Sequence, residues 1–358
     1  MSTASADPYA IVGRTAADRR EDSRSKIAPP FELDPTLCFY SPQDNVDAFA
    51  HPRVAAHLDW VASAWQPPPG GPRIALLLPC TKHKPYVLSA EHRAVNTALA
   101  AAGWETSGAG QPPSELREAT GFDDELLDVG PLQRRGVWLD RIVISEPLAL
   151  VPYTAVYERD GEPSVATAYD DPGLFESRGT SVAPWREDCT ATPTRSGRWR
   201  WGPAERLAYA TAHNHLSGVI GSVLSRVADR YHAILGWVSP GLTHRSFLVG
   251  ADQRQAEGLS RTRRGPDGPV NLRGVGDDHP GLVEVLPSAE QAAAAREALA
   301  DRLRSEGRSA TTSTVNGVYA RGDGNDTPLG LPELLSHLVA TLDVRATAAA
   351  AASKGRGS

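Results

Sequence analysis

Apolar runs and apolar stripes alternate along the first two thirds of the chain. The runs RIALLLPC at 73–80 and WLDRIVIS at 138–145 are short, and a loop containing proline follows each of them. Apolar runs of this length are typical of strands buried on both faces of a parallel sheet. Stripes with helical spacing lie at 51–65 and from Pro203 to Val238. This alternation predicts an α/β fold, a three-layer sandwich with a mostly parallel sheet between helices.

Serine residues mark the start of two further helices. Ser89 has the position of an N-cap for a helix that runs to about Ala102. Ser288 and Gln291 have the spacing of a capping box, which predicts a helix over 289–306.

These elements suggest a division of the chain into segments. A strand near 312–320 and a helix over 331–342 would form a small C-terminal α+β unit. The expected segments are a disordered tail at 1–30, the α/β domain at 31–250, an exposed loop at 251–281, the C-terminal unit at 282–345 and a second disordered tail at 346–358.

Composition and charge narrow the functional classes. The 37 Lys and Arg residues against 43 Asp and Glu residues give a net charge of −6, which opposes nonspecific adhesion to nucleic acid. Apolar runs stay well short of the roughly 20 residues that a membrane helix needs, so a cytoplasmic protein without a membrane partner is expected. The three cysteines, Cys38, Cys80 and Cys189, form no disulfide framework, and no metal-type spacing links them.

The densest cluster of reactive groups directly follows the first predicted strand. Cys80 is followed within four residues by Lys82, His83 and Lys84. Ligands of open α/β sheets bind beyond the carboxyl ends of the strands, and nearby cations lower the pKa of a thiol. Cys80 is therefore a candidate nucleophile. The alternative is a small buried cysteine that only closes the strand.

The spacing of this cluster resembles a known signature. PCTKHKPYVLSAEH, residues 79–92, fits P-C-x3-K-P-Y-x2-S-x2-H at every fixed position, as in archaeosine synthase, a tRNA-modifying enzyme related to tRNA-guanine transglycosylases. The family's S-P-L-G-V-V-P segment corresponds to SEPLALVP at 145–152, and its Y-D-x-P segment to YDDP at 169–172. The resemblance covers roughly residues 50–240, an ordinary length for a domain.

The resemblance implies a reaction and a fold. Enzymes of this family add an amine, lysine in the archaeal case, to the nitrile of 7-cyano-7-deazaguanine in tRNA, and the product is an amidine. The domain would have the three-layer α/β fold of uracil-DNA glycosylases. The expected partners are the deazaguanine nitrile and an amine donor, lysine or ammonia, and neither a cofactor nor a metal is expected.

Roles can be assigned to motif residues as hypotheses. Cys80 would attack the nitrile to give a thioimidate that an amine displaces. His92 or His83 would donate the proton. Lys84 would lower the pKa of the thiol or hold a phosphate, and Tyr86 would stack on the deazapurine. The other motif positions expected to bind the substrate are Pro79, Lys82, Pro85, Ser89, Ser145, Pro147, Tyr169 and Asp170.

The sequence also departs from the family. Glu146 introduces a carboxylate into the S-P-L-G segment, where it would act as a base or select the amine if it faces the ligand; facing solvent, it would have no role. The matched domain stands almost alone, without the family's RNA-binding module, and no basic stripe is present. A small-molecule substrate is slightly favoured over tRNA, and tRNA could bind with the help of a partner protein.

Two other functions stay open from the sequence. The fold would also suit a nucleobase- or nucleoside-processing hydrolase, because glycosylase-like pockets bind bases. The chain could instead be a non-catalytic accessory that binds nucleotides or nucleic acid with an inert thiol.

Overall fold

The computed structural model describes residues 9–325 and 327–355, and its strands and helices follow the predicted alternation over most of the chain. The strands are β1 (Arg73–Pro79), β2 (Glu105–Thr106), β3 (Leu132–Arg134), β4 (Val137–Ser145), β5 (Ala149–Pro152), β6 (Glu158–Arg159), β7 (Glu162–Pro163), β8 (Thr192–Pro193), β9 (Trp199–Arg200), β10 (Ala233–Trp237), β11 (Thr262–Gly265), β12 (Gly268–Asn271) and β13 (Glu284–Leu286). The helices are α1 (Ala16–Arg24), α2 (Pro42–Ala48), α3 (Pro52–Ser63), α4 (Ala90–Ala101), α5 (Ser114–Thr120), α6 (Asp124–Leu127), α7 (Pro203–Val227), α8 (Thr243–Leu248), α9 (Ala251–Ala256), α10 (Val275–Asp278), α11 (Ala289–Ser305), α12 (Thr312–Ala320) and α13 (Pro332–Gly355).

A seven-stranded sheet lies at the centre of the fold. Four strands run parallel in the order β13, β10, β1, β4, and the free edge of β4 pairs antiparallel with β3 and β5. All seven residues of β1 are buried, as expected for a strand with neighbours on both edges and helices over both faces. Pro79 at the end of β1 is in register with Ile144 near the end of β4. The predicted α/β fold with a mostly parallel sheet is therefore confirmed, and the antiparallel strands at one edge make the sheet mixed.

Helices cover both faces of this sheet. The chain passes from β1 through α4 to β4, and then back through α7 to β10 on the other side of β1. Because crossovers between parallel strands are right-handed, this reversal places α4 and α7 on opposite faces. Helix α13 packs beside α4 against β1 and β4, and α3 packs beside α7. Among the described residues, no helix is both long and apolar enough to cross a membrane.

The predicted N-terminal tail contains a folded segment. Residues 1–8 lie outside the described part of the chain, but α1 begins after Thr15, which forms a capping box with Asp18. Arg19 is 7% exposed and donates hydrogen bonds to the carbonyls of Thr180 and Val182 at 2.9 and 2.5 Å. The buried guanidinium of Arg19 therefore anchors a helix whose other charged residues are mostly exposed, which is why its composition suggested disorder.

The predicted exposed loop at 251–281 also has secondary structure. It contains α9, the β11–β12 hairpin and α10. Arg254 is 1% exposed and donates to the carbonyls of Leu272 and Ser246 at 2.9 and 2.8 Å. Because a buried arginine satisfies backbone acceptors here, a segment of polar sequence folds against the protein.

Two predicted elements have a different structure. The helical stripe of 203–238 ends at Val227, and its last apolar residues form β10 instead. The strand predicted near 312–320 is helix α12, whose N-cap Thr311 accepts a hydrogen bond from the amide of Thr314. In both cases apolar β-branched residues fit either element, and tertiary packing decides between them.

The C-terminal residues are part of the main fold. Strand β13 extends the central sheet beside β10, and buried residues of α13, such as Leu338, belong to the same apolar core as those of β1. The segment 282–345 therefore does not form an independent α+β unit. The tail predicted at 346–358 begins within α13, which buries Ala346 and Ala349; residues 356–358 lie outside the described part.

Candidate active site

The carboxyl ends of three parallel strands surround a cavity of about 350 Å³. The loop after β1 supplies Cys80, the loop after β4 supplies Glu146, and α8, which follows β10, supplies His244. The amide of Cys80 donates to the carbonyl of Ile144 at 2.8 Å, which fixes the first two loops to each other. The cavity therefore lies where an open α/β sheet binds its ligands.

Three reactive side chains meet at the wall of this cavity. The Sγ atom of Cys80 lies 3.3 Å from Nε2 of His244 and 3.4 Å from Oε2 of Glu146. The same Nε2 atom of His244 lies 3.3 Å from Oε2 of Glu146. His244 and Glu146 are almost completely buried, so solvent screens this triangle of atoms only weakly.

The charges in this triangle depend on one another. Burial opposes a charged imidazole, but the Glu146 carboxylate and the Cys80 thiol together raise the pKa of His244 well above its usual range. Burial opposes ionisation of Glu146, yet His244 lowers the pKa of this carboxyl. Burial raises the pKa of Cys80, while His244 and, more weakly, Lys84 act in the opposite direction. A cationic His244 is therefore the main group that favours a thiolate at Cys80.

Lys84 lies beneath the loop that carries Cys80. Its ammonium group is buried and donates to the carbonyl of Thr81, and it lies 4.4 Å from the ring centre of Tyr169. Burial lowers the pKa of Lys84, and the positive charge stabilises both the loop carbonyl and the nearby thiol. The backbone of Lys84 pairs with that of Lys26 and Ala28, so the N-terminal segment holds this loop in place.

His92 differs from the predicted proton donor. Its Nε2 atom lies 2.8 Å from the carbonyl of Pro79 and its Nδ1 atom 2.6 Å from the hydroxyl of Tyr153. A carbonyl can only accept, so Nε2 carries the hydrogen and Nδ1 accepts from Tyr153. Burial lowers the pKa of His92 to about 4. A neutral His92 therefore anchors the end of β1 and is absent from the cavity wall.

Tyr86 differs from the predicted stacking residue. It is fully buried, and its hydroxyl shares a hydrogen-bonded network with Tyr169 at 2.9 Å and Ser145 at 3.4 Å. Tyr169, whose hydroxyl lies 2.6 Å from Ser145, does reach the cavity. Phe175 is the other aromatic residue of the wall. The ring available to a planar ligand is therefore that of Phe175 or Tyr169, because Tyr86 supports the site from behind.

The structure brings a little over half of the predicted site residues to the cavity. The residues that line it are Pro79, Cys80, Lys82, His83, Lys84, Ser89, Glu146 and Tyr169. The residues that lie behind this wall are Pro85, Tyr86, His92, Ser145, Pro147 and Asp170.

The two aspartates of the YDDP segment have separate environments. Asp170 accepts hydrogen bonds from Ser23 at 2.7 Å and Lys26 at 2.6 Å, away from the cavity. Asp171 lines the cavity and accepts from Asn45 at 2.7 Å. Burial and, secondarily, the negative charge of Glu146 raise the pKa of Asp171 to about 8. Asp171 can therefore hold or release a proton near neutral pH.

The far wall of the cavity comes from the C-terminal part of the chain. Gly324, Asn325, Thr327 and Leu329 line it, and the hydroxyl of Thr327 donates to the carboxylate of Glu91 at the start of α4. This contact joins residues that are more than 230 positions apart, so the motif alone encloses only part of the site.

His244 is the most important residue that sequence reasoning missed. It follows β10, whose residues continue the apolar stripe of the preceding helix and were therefore predicted as part of that helix. The signal available was the run AILGW followed by Ser239 and Pro240, which has the pattern of a third buried strand with a proline-containing loop. Comparison with protein-family models, curated proteins and solved structures gave no match.

Proposed function

We propose that this protein adds an amine to the nitrile of a 7-cyano-7-deazaguanine, in a reaction like that of archaeosine synthase, which residues 79–92 resemble. The observation that carries the proposal is the position of Cys80 in the cavity, 3.3 Å from a histidine that Glu146 keeps cationic. The mostly parallel sheet with helices on both faces is compatible with a uracil-DNA-glycosylase-like fold, which belongs to the same proposal.

The first step of the proposed reaction uses the thiol–imidazole pair. The Cys80 thiolate forms a C–S bond with the nitrile carbon, and one π bond of the nitrile becomes a lone pair on nitrogen. His244 donates its proton to that nitrogen, which gives a neutral thioimidate. Glu146 stabilises the cationic His244 before this transfer. It therefore keeps the proton on His244 and stays ionised itself.

The second step releases the enzyme. The amine attacks the thioimidate carbon, a C–N bond forms and the C–S bond breaks, and the amidine leaves. The amine loses a proton that returns to His244, so the sum is one amine added to one nitrile, without oxidant or reductant. Asp171 lines the same cavity, and its raised pKa suits it to take the proton of an incoming ammonium.

Mass spectrometry of the intact protein tests the covalent step. Incubation with the free nitrile base, without amine, is expected to add the mass of one base to Cys80, and lysine or ammonia should then remove it as amidine. The Cys80→Ala variant should form neither adduct nor product. Cys189→Ala, a partly buried cysteine outside the cavity, is the matched control and should behave as wild type. Turnover by Cys80→Ala at the wild-type rate would end the proposal.

A second candidate function follows from the same three atoms. Tetrahedral zinc with bonds of about 2.0–2.3 Å holds its ligand atoms roughly 3.3–3.6 Å apart, and Cys80, Glu146 and His244 meet this spacing. A zinc ion there would leave a fourth position toward the cavity and could activate water. Such a site would suit the nucleobase- or nucleoside-processing hydrolase that the sequence leaves open.

Metal analysis separates the two candidates. Zinc at one equivalent per chain after dialysis, lost in His244→Ala, together with activity abolished by a chelator, would favour the hydrolase. A metal-free protein that still forms the Cys80 adduct would favour the thioimidate reaction, because a zinc-bound thiolate is not free to attack.

A further inference from the structure

A second recess opens beside the catalytic cavity. It has a volume of about 470 Å³ and shares Arg178, Ser239, Leu242 and Thr327 with the cavity wall. Its remaining lining comes from Pro240 after β10 and from α11, α12 and the segment before α13, and includes Arg296 and Tyr319. A ligand in the cavity could therefore extend directly into this recess.

The two arginines of the recess lack acidic partners. Arg178 lies 4.1 Å from the ring centre of Phe175, and Arg296 lies 4.0 Å from that of Tyr319 and donates to the carbonyl of Ala292 at 2.9 Å. Among the described residues neither forms an ion pair, whereas Arg302 on the same helix as Arg296 pairs with three carboxylates. No aspartate or glutamate lines the recess, so its charge is positive.

Tyr319 supplies a second, independent polar group at this recess. Its side chain is 4% exposed, and its hydroxyl has no hydrogen-bond partner among the described residues. A buried hydroxyl without a partner costs free energy that a bound acceptor would recover. Because two guanidinium groups line the same recess, an anion is the acceptor that this lining favours.

We infer that this recess binds the phosphate of a nucleotide whose base occupies the catalytic cavity. The inference rests on the proposed function for the base, and it makes the substrate a phosphorylated form of the deazaguanine nitrile. Arginine is well suited to phosphate, because its planar fork of donors matches the phosphate oxygens. The phosphate can come from a mononucleotide or from a tRNA backbone.

Binding measurements with matched ligands test the inference. Calorimetry with the nitrile nucleoside and its 5′-monophosphate should show the monophosphate binding at least about tenfold more tightly, the scale of one hydrogen-bonded charge pair. Arg296→Met and Tyr319→Phe should reduce this ratio while nucleoside affinity stays within twofold. Arg304→Met, an exposed arginine on the same helix, is the control and should keep the wild-type ratio.

Each result bears on the inference. Equal affinity for nucleoside and monophosphate, or a preference that survives in Arg296→Met, would overturn it. So would loss of lysine binding in Arg296→Met without loss of the phosphate preference, since the recess would then hold the carboxylate of the amine donor.

Two further arms identify the source of the phosphate and separate the two proposals. If nitrile-bearing tRNA competes more strongly than the monophosphate, and the salt dependence of tRNA binding is smaller in Arg296→Met, the phosphate belongs to a polynucleotide. If no nitrile compound binds, the proposed function fails, and inorganic phosphate becomes the probe: binding lost in Arg296→Met supports the anion site, and no binding overturns it.

Discussion

At the scale of single residues, the reactivity of Cys80 depends on a histidine from another part of the chain. Burial raises the pKa of Cys80 above its usual range, and the cation of His244 is the largest influence in the opposite direction. Glu146, the residue that departs from the family pattern, faces the cavity and stabilises that cation. Glu146 therefore changes the electrostatics of Cys80, both directly and through His244.

Removal of His244 should slow thiol labelling. In His244→Gln, burial and Glu146 would raise the pKa of Cys80 further, and one pKa unit lowers the thiolate fraction about tenfold. We expect iodoacetamide to modify Cys80 at least about tenfold more slowly at pH 7, as measured by peptide mass spectrometry. His232→Gln, an exposed histidine outside the cavity, should label as wild type. Unchanged labelling in His244→Gln would contradict the ion-pair description.

Asp171 should make stability depend on pH. Burial in the folded protein raises the pKa of Asp171 from the usual 3.8 of an aspartate to about 8. The contribution of Asp171 to stability is therefore full below about pH 4 and is lost as the pH rises through about 8.

Comparison with a neutral variant isolates this effect. The free energy of unfolding of wild type relative to Asp171→Asn should fall between pH 5 and pH 8 by at least about 1.4 kcal/mol, the value of one pKa unit. Urea titrations at both pH values measure it. The exposed Asp229→Asn substitution should give a difference independent of pH, and a rise with pH for Asp171→Asn would contradict the assignment.

At the scale of elements, residues 79–92 fix the start of α4 as well as the position of Cys80. Ser89 is the N-cap of α4, and its hydroxyl accepts from the amide of His92 at 3.1 Å. His92 in turn holds the end of β1 through the carbonyl of Pro79. Several fixed positions of the motif are therefore explained by the geometry of the strand–loop–helix connection and need no contact with substrate.

Loss of this cap should affect stability more than reactivity. Ser89→Ala removes one hydrogen bond at the start of α4 and should lower the free energy of unfolding by about 1 kcal/mol. The labelling rate of Cys80 should change less than threefold. Ser336→Ala, an exposed serine inside α13, should leave stability nearly unchanged in the same urea titration. Equal effects of the two substitutions would show that Ser89 does not cap the helix.

The sequence predicts strands and helices well where the pattern of apolar residues matches the burial of those residues in the fold. β1 and β4 are rich in apolar residues, and all their residues except Trp138 are buried, so their positions and the location of the cavity at their ends could be predicted. Prediction is wrong for α12, because Val315 and Val318 suit a strand as well as a helix. His244 could not be placed beside Cys80, because their contact depends on the order of strands in the sheet, and no local pattern records that order.

At the scale of the whole molecule, one apolar core joins the sheet and the C-terminal helices. Leu338 on α13 is fully buried in that core, whereas Val344 on the same helix is 65% exposed. Leu338→Ala should lower the free energy of unfolding by about 2–5 kcal/mol, and Val344→Ala should change it by less than about 0.5 kcal/mol.

The shape of the unfolding transition tests whether the sheet and the C-terminal helices unfold together. In Leu338→Ala, circular dichroism and tryptophan fluorescence should report one coincident transition that moves as a whole. Two separated transitions, with only the first one shifted, would show that the C-terminal segment folds as a unit of its own.

The contact between Thr327 and Glu91 has a consequence for how the protein is made. A chain emerging from the ribosome exposes Cys80 long before Thr327 exists, so the reactive cysteine is synthesised well ahead of the wall that closes over it. A nascent or prematurely ended chain would carry the complete 79–92 signature without an enclosed pocket. A chain must therefore be translated beyond Thr327 before the loop that carries Cys80 can be enclosed.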